Sequence, residues 1–223
     1  KFGAGVSLDG SQLAVGARQG DGSGNSTSNS GEVYLYTIPS ISTSISDAVF
    51  GTNAGDDLTL TTGTITTLLS AATNVVLQAN NDITVSEAIT AANGSGDGGN
   101  LTMQAGRSLL INANITTDNG NLILTANETA GNGVVDAQRD SGAAVITLAS
   151  GTTVNTGTGS FTATISAGAD KTNLASGDIT LSSVTAGSLV ATNSGPTSGS
   201  DILDNGVLTI AGTSSFTTSV SNA

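Results

Sequence analysis

Cysteine and histidine are both absent from this chain. Without cysteine there is no disulfide framework, which excludes the small stapled secreted scaffolds. Without either residue the usual zinc sites and histidine-based nucleophilic triads are excluded as well. Aromatic residues make up only 3% of the chain and proline occurs twice. A core drawn from this supply must be thin, built of stacked Ala, Val, Leu and Ile rather than large rings. Basic residues are scarce too, with five Lys+Arg against seventeen Asp+Glu and a formal net charge of −12. Phosphate recognition needs clustered positive charge, so nucleic acid is not expected as a partner. An anionic membrane surface is disfavoured for the same reason, and the acidity is expected to serve solubility. No stretch approaches the roughly 20 apolar residues of a membrane helix, so no membrane insertion is expected.

Glycine is plentiful at 30 residues, which points to many tight turns. Thr suits strands, Asn and Ser suit the corners between them, and no long segment carries helical periodicity. The clearest signal is a repeat. Leu101-Thr-Met-Gln-Ala105 follows Val75-Val-Leu-Gln-Ala79 by 26 residues, and Ser108–Thr116 follows Asp82–Thr90 by the same offset. Gly99-Asn100-Leu101 returns as Gly120-Asn121-Leu122 after only 21. Looping out Gly94–Gly98 reconciles the two spacings at 21. A period near 20 with short alternating apolar runs predicts stacked β coils. The fold class expected is therefore all-β: a parallel β-helix of about 21 residues per coil, preceded by a three-stranded N-terminal segment. An up-and-down barrel or sandwich is the structural rival, but it predicts hairpins rather than a sequence returning in parallel.

Three regions are expected: a β segment over 1–37, a linker or cap over 38–55, and the β-helix over 56–223. Strand runs in the last include Leu58–Leu60, Val75–Leu77, Ile83–Val85, Leu101–Met103, Leu122–Leu124, Val145–Leu148, Phe161–Ile165, Ile179–Leu181 and Val207–Ile210. About 170 residues at about 21 per coil predict roughly eight coils and a rod on the order of 40 Å long. The stretches Glu128–Ser141 and Asn193–Ser200 are expected to bulge from it. The pattern starts at once at Lys1-Phe2-Gly3, as expected of a chain whose leader is removed or that is part of a longer protein.

Residues 1–37 resemble one FG-GAP repeat, the blade unit of integrin-α-like β-propellers. The resemblance is carried by Phe2-Gly3, Val6-Ser-Leu8, Leu13-Ala-Val-Gly-Ala17 and Gly31-Glu-Val-Tyr-Leu-Tyr36. The calcium-binding members carry an Asp-rich loop before the second strand, whereas here that loop is only Asp9-Gly-Ser-Gln12. A propeller needs several blades, and a lone blade has unpaired edges. Val6, Leu8, Leu13, Val15, Val33 and Leu35 are therefore the candidates for subunit contact. The coil segment resembles the repeats of filamentous-haemagglutinin-type adhesins of two-partner secretion. Its carriers are Gly99–Ala105, Ser108–Thr116 and Asn119–Ala126. This resemblance implies a bacterial, extracellular or cell-surface, adhesive role, with neighbouring repeats, a homopolymer, glycans or a host surface as partners.

The remaining chemistry is that of carboxylates. Asp56, Asp57, Asp82, Glu87, Asp97, Asp118, Asp136 and Asp140 are the candidates for a glycan-cleaving site, but most fall at turns, where Asp has a structural task. No catalytic or cofactor-binding residue is assigned, and the chain is expected not to be an enzyme. Calcium is the one cofactor worth considering, with Asp21 and Asn25 in one Gly-rich loop and Asp97 in another as metal candidates. Arg107 and Glu128 lie 21 residues apart and are expected to form an exposed ion pair. Asn100 and Asn121 are expected to stack as a ladder along the rod. Thr59-Leu-Thr61 and Thr64-Ile-Thr66 raise an ice-binding array, but they do not recur in phase. The function expected is a structural or adhesive extracellular solenoid, as part of a large surface adhesin or as a self-assembling fibre subunit. A carbohydrate-binding or glycan-cleaving β-helix and an ice-binding solenoid are the alternatives.

Overall fold

The computed structural model describes residues 2–9, 12–17, 32–37, 45–52, 54–55 and 57–219. The chain divides into two units. The first holds β1 (Phe2–Asp9), β2 (Gln12–Ala17) and β3 (Glu32–Thr37), an antiparallel meander in the order β1-β2-β3. Val6 pairs with Val15, Leu8 with Leu13, Val33 with Gly16 and Leu35 with Ala14.

The second unit is a parallel β-helix with a helical cap. Its helix α1 (Thr62–Ser70) precedes five coils. They are β4 (Val75–Ala79), β5 (Ile83–Val85), β6 (Ile89–Thr90); β7 (Leu101–Ala105), β8 (Leu109–Ile111), β9 (Ile115–Thr116); and β10 (Leu122–Ala126), β11 (Ala144–Leu148), β12 (Thr153–Asn155). Next come β13 (Ser160–Ile165), β14 (Ser176–Leu181), β15 (Ser183–Ala186), then β16 (Ser188–Asn193), β17 (Ile202–Asp204), β18 (Leu208–Ile210), and finally β19 (Ser214–Thr218). They form three parallel sheets. The first contains β4, β7, β10, β13, β16 and β19, the second β5, β8, β11, β14 and β17, the third β6, β9, β12, β15 and β18.

Register, not sequence period, defines the coils. Val75, Leu101, Leu122, Phe161, Leu189 and Ser214 stack in one row, so successive coils take 26, 21, 39, 28 and 25 residues. The 21-residue spacing is thus the shortest turn of the helix. Five coils and a further strand replace the roughly eight expected, because insertions after β10, β13 and β16 consume the chain without adding a rung.

Alternation builds the core. Leu101, Met103, Leu122, Leu124, Phe161, Ala163, Leu189 and Ala191 point inward from the first sheet and are wholly buried. Phe161 sits beside Ala163 on one strand, so its large ring is matched by a small neighbour in the adjacent row. Ile115, Val154 and Val184 continue the packing from the third sheet.

One corner is built on glycine. Gly99, Gly120, Gly159, Gly187 and Gly212 each stand two residues before a stacked row position of the first sheet. A Cβ on Gly159 would lie 2.6 Å from the Gly120 carbonyl oxygen and one on Gly212 2.7 Å from that of Gly187. The backbones therefore approach closer than any side chain permits. The next residue in the motif carries the asparagine ladder. Asn74 Oδ1 accepts from Asn100 N at 2.9 Å, Asn100 Oδ1 from Asn121 N at 2.8 Å, and Asn121 Oδ1 from Ser160 N at 2.8 Å. The ladder thus runs from side-chain oxygen to the next coil's backbone rather than from amide to amide.

The helix was not expected, and Leu58–Leu60 forms no strand. Thr is a mediocre helix former, but Ile65 and Leu69, four residues apart, give α1 one apolar face that the first coil buries. Leu69 O accepts from Gly99 N at 2.8 Å, Thr66 Oγ1 from Thr90 N at 3.3 Å, and Ser70 Oγ from Ala92 N at 3.0 Å. Alongside, Ala48 O accepts from Gln78 N at 2.8 Å, and Phe50 is 3% exposed. This end of the rod is covered. At the other end β17, β18 and β19 each have one hydrogen-bonded neighbour among the described residues, and Val207 (69%), Phe216 (48%) and Leu203 (42%) are exposed.

Candidate functional site

The corner between the first and second sheets is short in the first two coils, at 80–82 and 106–108. From the third coil it lengthens to 127–143, then to 166–175 and 194–201. These stretches collect Arg107, Arg139 and Lys171, three of the chain's five basic residues.

Arg107 follows β7 and closes a fork on Asp82 one coil below, with Nε to Oδ1 at 2.8 Å and Nη2 to Oδ2 at 2.6 Å. Ser108 N also donates to Asp82 Oδ1, and Arg107 Nη1 donates to the Ser141 carbonyl at 2.8 Å. The hydrogen bond to Asp82 outweighs partial burial and raises the guanidinium pKa above its ordinary value. Glu128, the partner expected of Arg107, is instead almost wholly buried. It accepts from Gln104 Nε2 at 3.1 Å, Thr129 N at 2.8 Å and Asn132 Nδ2 at 2.8 Å. Gln104 in turn accepts from Gln78 Nε2 at 2.8 Å, so Gln78, Gln104 and Glu128 form a second polar ladder. The ion pair fails because Arg107 turns to Asp82 one coil below, while Glu128, in the 127–143 insertion, is taken up by Gln104, Thr129 and Asn132.

Arg139 is buried among carbonyls. It donates to Gly106 O at 3.0 Å, Asp140 O at 2.7 Å, Gly142 O at 3.2 Å and Ala175 O at 3.2 Å. Burial, with the nearby Arg107 charge, pushes its pKa down. The group thus stitches the corners of the second, third and fourth coils together through their backbones. Asn80 performs a similar task below, accepting from Val135 N and donating to Phe50 O, each at 2.9 Å. Asp136 Oδ2 accepts from Thr172 N at 3.0 Å and Thr172 Oγ1 at 2.7 Å, which lowers the carboxyl pKa.

The carboxylates considered for glycan cleavage are dispersed among such tasks. Asp82 holds Arg107, Asp118 accepts from Asn93 N, and Asp140 accepts from Asn81 Nδ2 at 2.6 Å. Among the described residues no three His, Cys, Asp or Glu side chains gather to hold a metal ion. Asp97 lies exposed in the 94–98 turn. Asp21, Asn25 and Asp56 lie outside the described residues, and the six contact candidates lie on β1, β2 and β3. Sequence reasoning missed the buried positions of Arg139, Lys171 and Asn127. The available signal was that basic residues in so charge-poor a chain cluster where the repeat breaks down.

The outer face of the first sheet offers a different surface. Thr125, Thr164, Thr192 and Thr217 stack in register, and none of the sheet's six strands contains a charged residue.

Residues 1–36 match the FG-GAP repeat family. No curated protein and no solved structure matches the chain. No helix among the described residues is long and apolar enough to cross a membrane. FG-GAP repeats occur in extracellular proteins, and such a repeat joined to a parallel β-solenoid points to an extracellular repeat protein.

Proposed function

We propose that the chain is a non-enzymatic structural and adhesive solenoid of the cell exterior, a segment of a large surface adhesin or a subunit of a self-assembling fibre. The observation that carries this reading is the asymmetry of its ends. One end is covered by α1, while at the other β17, β18 and β19 each have one hydrogen-bonded neighbour among the described residues, and Leu203, Val207 and Phe216 are exposed. Open edges of this kind recruit further strands. The strand-forming segment 1–37, with Val6, Leu8, Leu13, Val15, Val33 and Leu35, supplies strands to the open edge of a neighbouring copy by β-augmentation. Repetition of one such heterologous contact gives a polymer.

Negative-stain imaging and light scattering of the full chain and of a variant lacking residues 1–37 test this. Filaments from the full chain and folded monomers from the shortened one are expected. Filaments that persist without residues 1–37 overturn the strand contact, and a full chain that stays monomeric at high concentration overturns self-assembly. The absence of catalysis is tested by incubation with a polysaccharide panel, where release of new reducing ends refutes it.

A second reading is supported by the threonine column. Thr125, Thr164, Thr192 and Thr217 repeat at the strand spacing of about 4.8 Å on a charge-free sheet. Regular hydroxyl and methyl groups at that spacing suit an ordered water lattice. The Thr-x-Thr motifs at 59–61 and 64–66 stand outside the sheet and contribute nothing to this array. Ice-recrystallisation inhibition that disappears in Thr164→Lys is the expected result on this reading, and its absence from the unmodified protein eliminates it.

A further inference from the structure

The insertions of the third and fourth coils bring an amine and a carboxamide together in a buried place. Lys171 is 8% exposed. Its Nζ donates to the Gly106 carbonyl at 2.8 Å and to Asn127 Oδ1 at 2.9 Å. Asn127 is wholly buried and sits in the left-handed region, at φ 53°. Its Nδ2 donates to Ser166 O at 2.9 Å and Leu174 O at 3.2 Å. A Cβ on Gly168 would lie 2.9 Å from Asn127 Cγ, so the backbone there presses on the carboxamide. Both ends of the amide are held, and its carbonyl carbon stays beside Nζ.

The surroundings weaken the amine's hold on its proton. Burial first, and the Arg139 guanidinium second, push the Lys171 pKa down to about 8. Arg139 shares the Gly106 carbonyl with Lys171. Asp136 and Glu128 act in the opposite sense. Glu128 is occupied by Gln104, Thr129 and Asn132. Asp136 is anchored through Oδ2 to Thr172, the neighbour of Lys171, while its Oδ1 is buried without a hydrogen bond.

We propose that Lys171 and Asn127 join in an intramolecular isopeptide bond. The lone pair of the neutral Nζ attacks Asn127 Cγ, and the Cγ–Nδ2 bond breaks. The proton lost by Nζ passes to Asp136 and from there to the departing nitrogen, which leaves as ammonia. Nothing is oxidised or reduced. The product is a secondary amide that ties the fourth-coil insertion to the start of the third-coil insertion and removes a buried charge. Proximity of this kind, held before the reaction, is what makes an otherwise slow amide exchange accessible.

Intact-mass measurement of the folded full chain, with fragmentation of its proteolytic peptides, tests the proposal. The expected mass is one ammonia below that of the sequence, with a branched peptide joining residues 127 and 171. Formation is expected to quicken as pH rises towards about 8 and to level off above it, as Nζ loses its proton. Asp136→Asn is expected to slow it, and Lys171→Met to restore the full sequence mass. An unshifted mass in the folded protein overturns the proposal. So does an ammonia loss that survives in Lys171→Met or is opened by hydroxylamine, since a succinimide at Asn127 would behave in that way.

Discussion

Gly120→Ala is a stringent perturbation of the coil stacking. The added Cβ would sit well inside the contact shell of the Gly99 carbonyl oxygen and 2.8 Å from that of Gly98. Both obstacles are backbone, so no side-chain rotation relieves them. Overpacking of this kind costs typically about 1–3 kcal/mol. The shift that relieves it also strains neighbouring bonds, Leu101 N to Asn121 O at 2.9 Å and Asn121 N to Asn100 Oδ1 at 2.8 Å, worth about 1 kcal/mol each. Restricting the unfolded chain returns about 0.4–1 kcal/mol. The net expectation is a destabilisation of about 2–4 kcal/mol. Gly63→Ala makes the matched control, because a Cβ there meets nothing within 4 Å and the residue lies in α1. It is expected to stabilise by about 0.5–1 kcal/mol. Urea titration followed by circular dichroism measures both. A Gly120→Ala variant within about 0.5 kcal/mol of the unsubstituted protein would refute the claim that close backbone approach sets the coil spacing.

Leu124→Ala empties a wholly buried position between Met103 and Ala163 and is expected to cost about 2–5 kcal/mol in the same titration. Arg107→Ala releases Asp82, Ser141 and the link between successive corners. The pair is partly exposed, so the expected loss is only about 1–2 kcal/mol, and it should shrink in high salt.

The coil architecture was legible because Gly-Asn-apolar marks the start of a first-sheet strand. Gly99-Asn100-Leu101 and Gly120-Asn121-Leu122 showed it at the one offset of 21. A variant with Ser in place of Asn continues it as Gly159-Ser160-Phe161 and Gly187-Ser188-Leu189, but offsets of 39 and 28 hid it from any search for a constant period. The physical constraint is the corner and the row it feeds, not the length of chain between rows. α1 was invisible for another reason. Its apolar face amounts to Ile65 and Leu69 within a run of threonines, and only the presence of the first coil makes that face worth burying. The corner cluster was the least legible. Nothing in the local sequence of Lys171 places it against Gly106 and Asn127, which lie 65 and 44 residues away. That encounter depends on two insertions folding over one another against the stacked coils.

The long insertions all leave the rod at the same corner, over 127–143, 166–175 and 194–201, while the three sheets continue beneath them. This separates two kinds of sequence change. Substitutions in the rows alter every neighbouring rung, whereas length changes at this corner leave the rows in place and act on the loops and on the links that Arg139 and Lys171 make between them. The closure entropy of a loop rises by only about 0.6 kcal/mol per doubling of its length. Successive loops emerge at the spacing of the strands, about 4.8 Å, and are therefore near enough to touch. A lineage, or a protein engineer, can thus vary several short peptides side by side and obtain one composite surface on an unchanged frame.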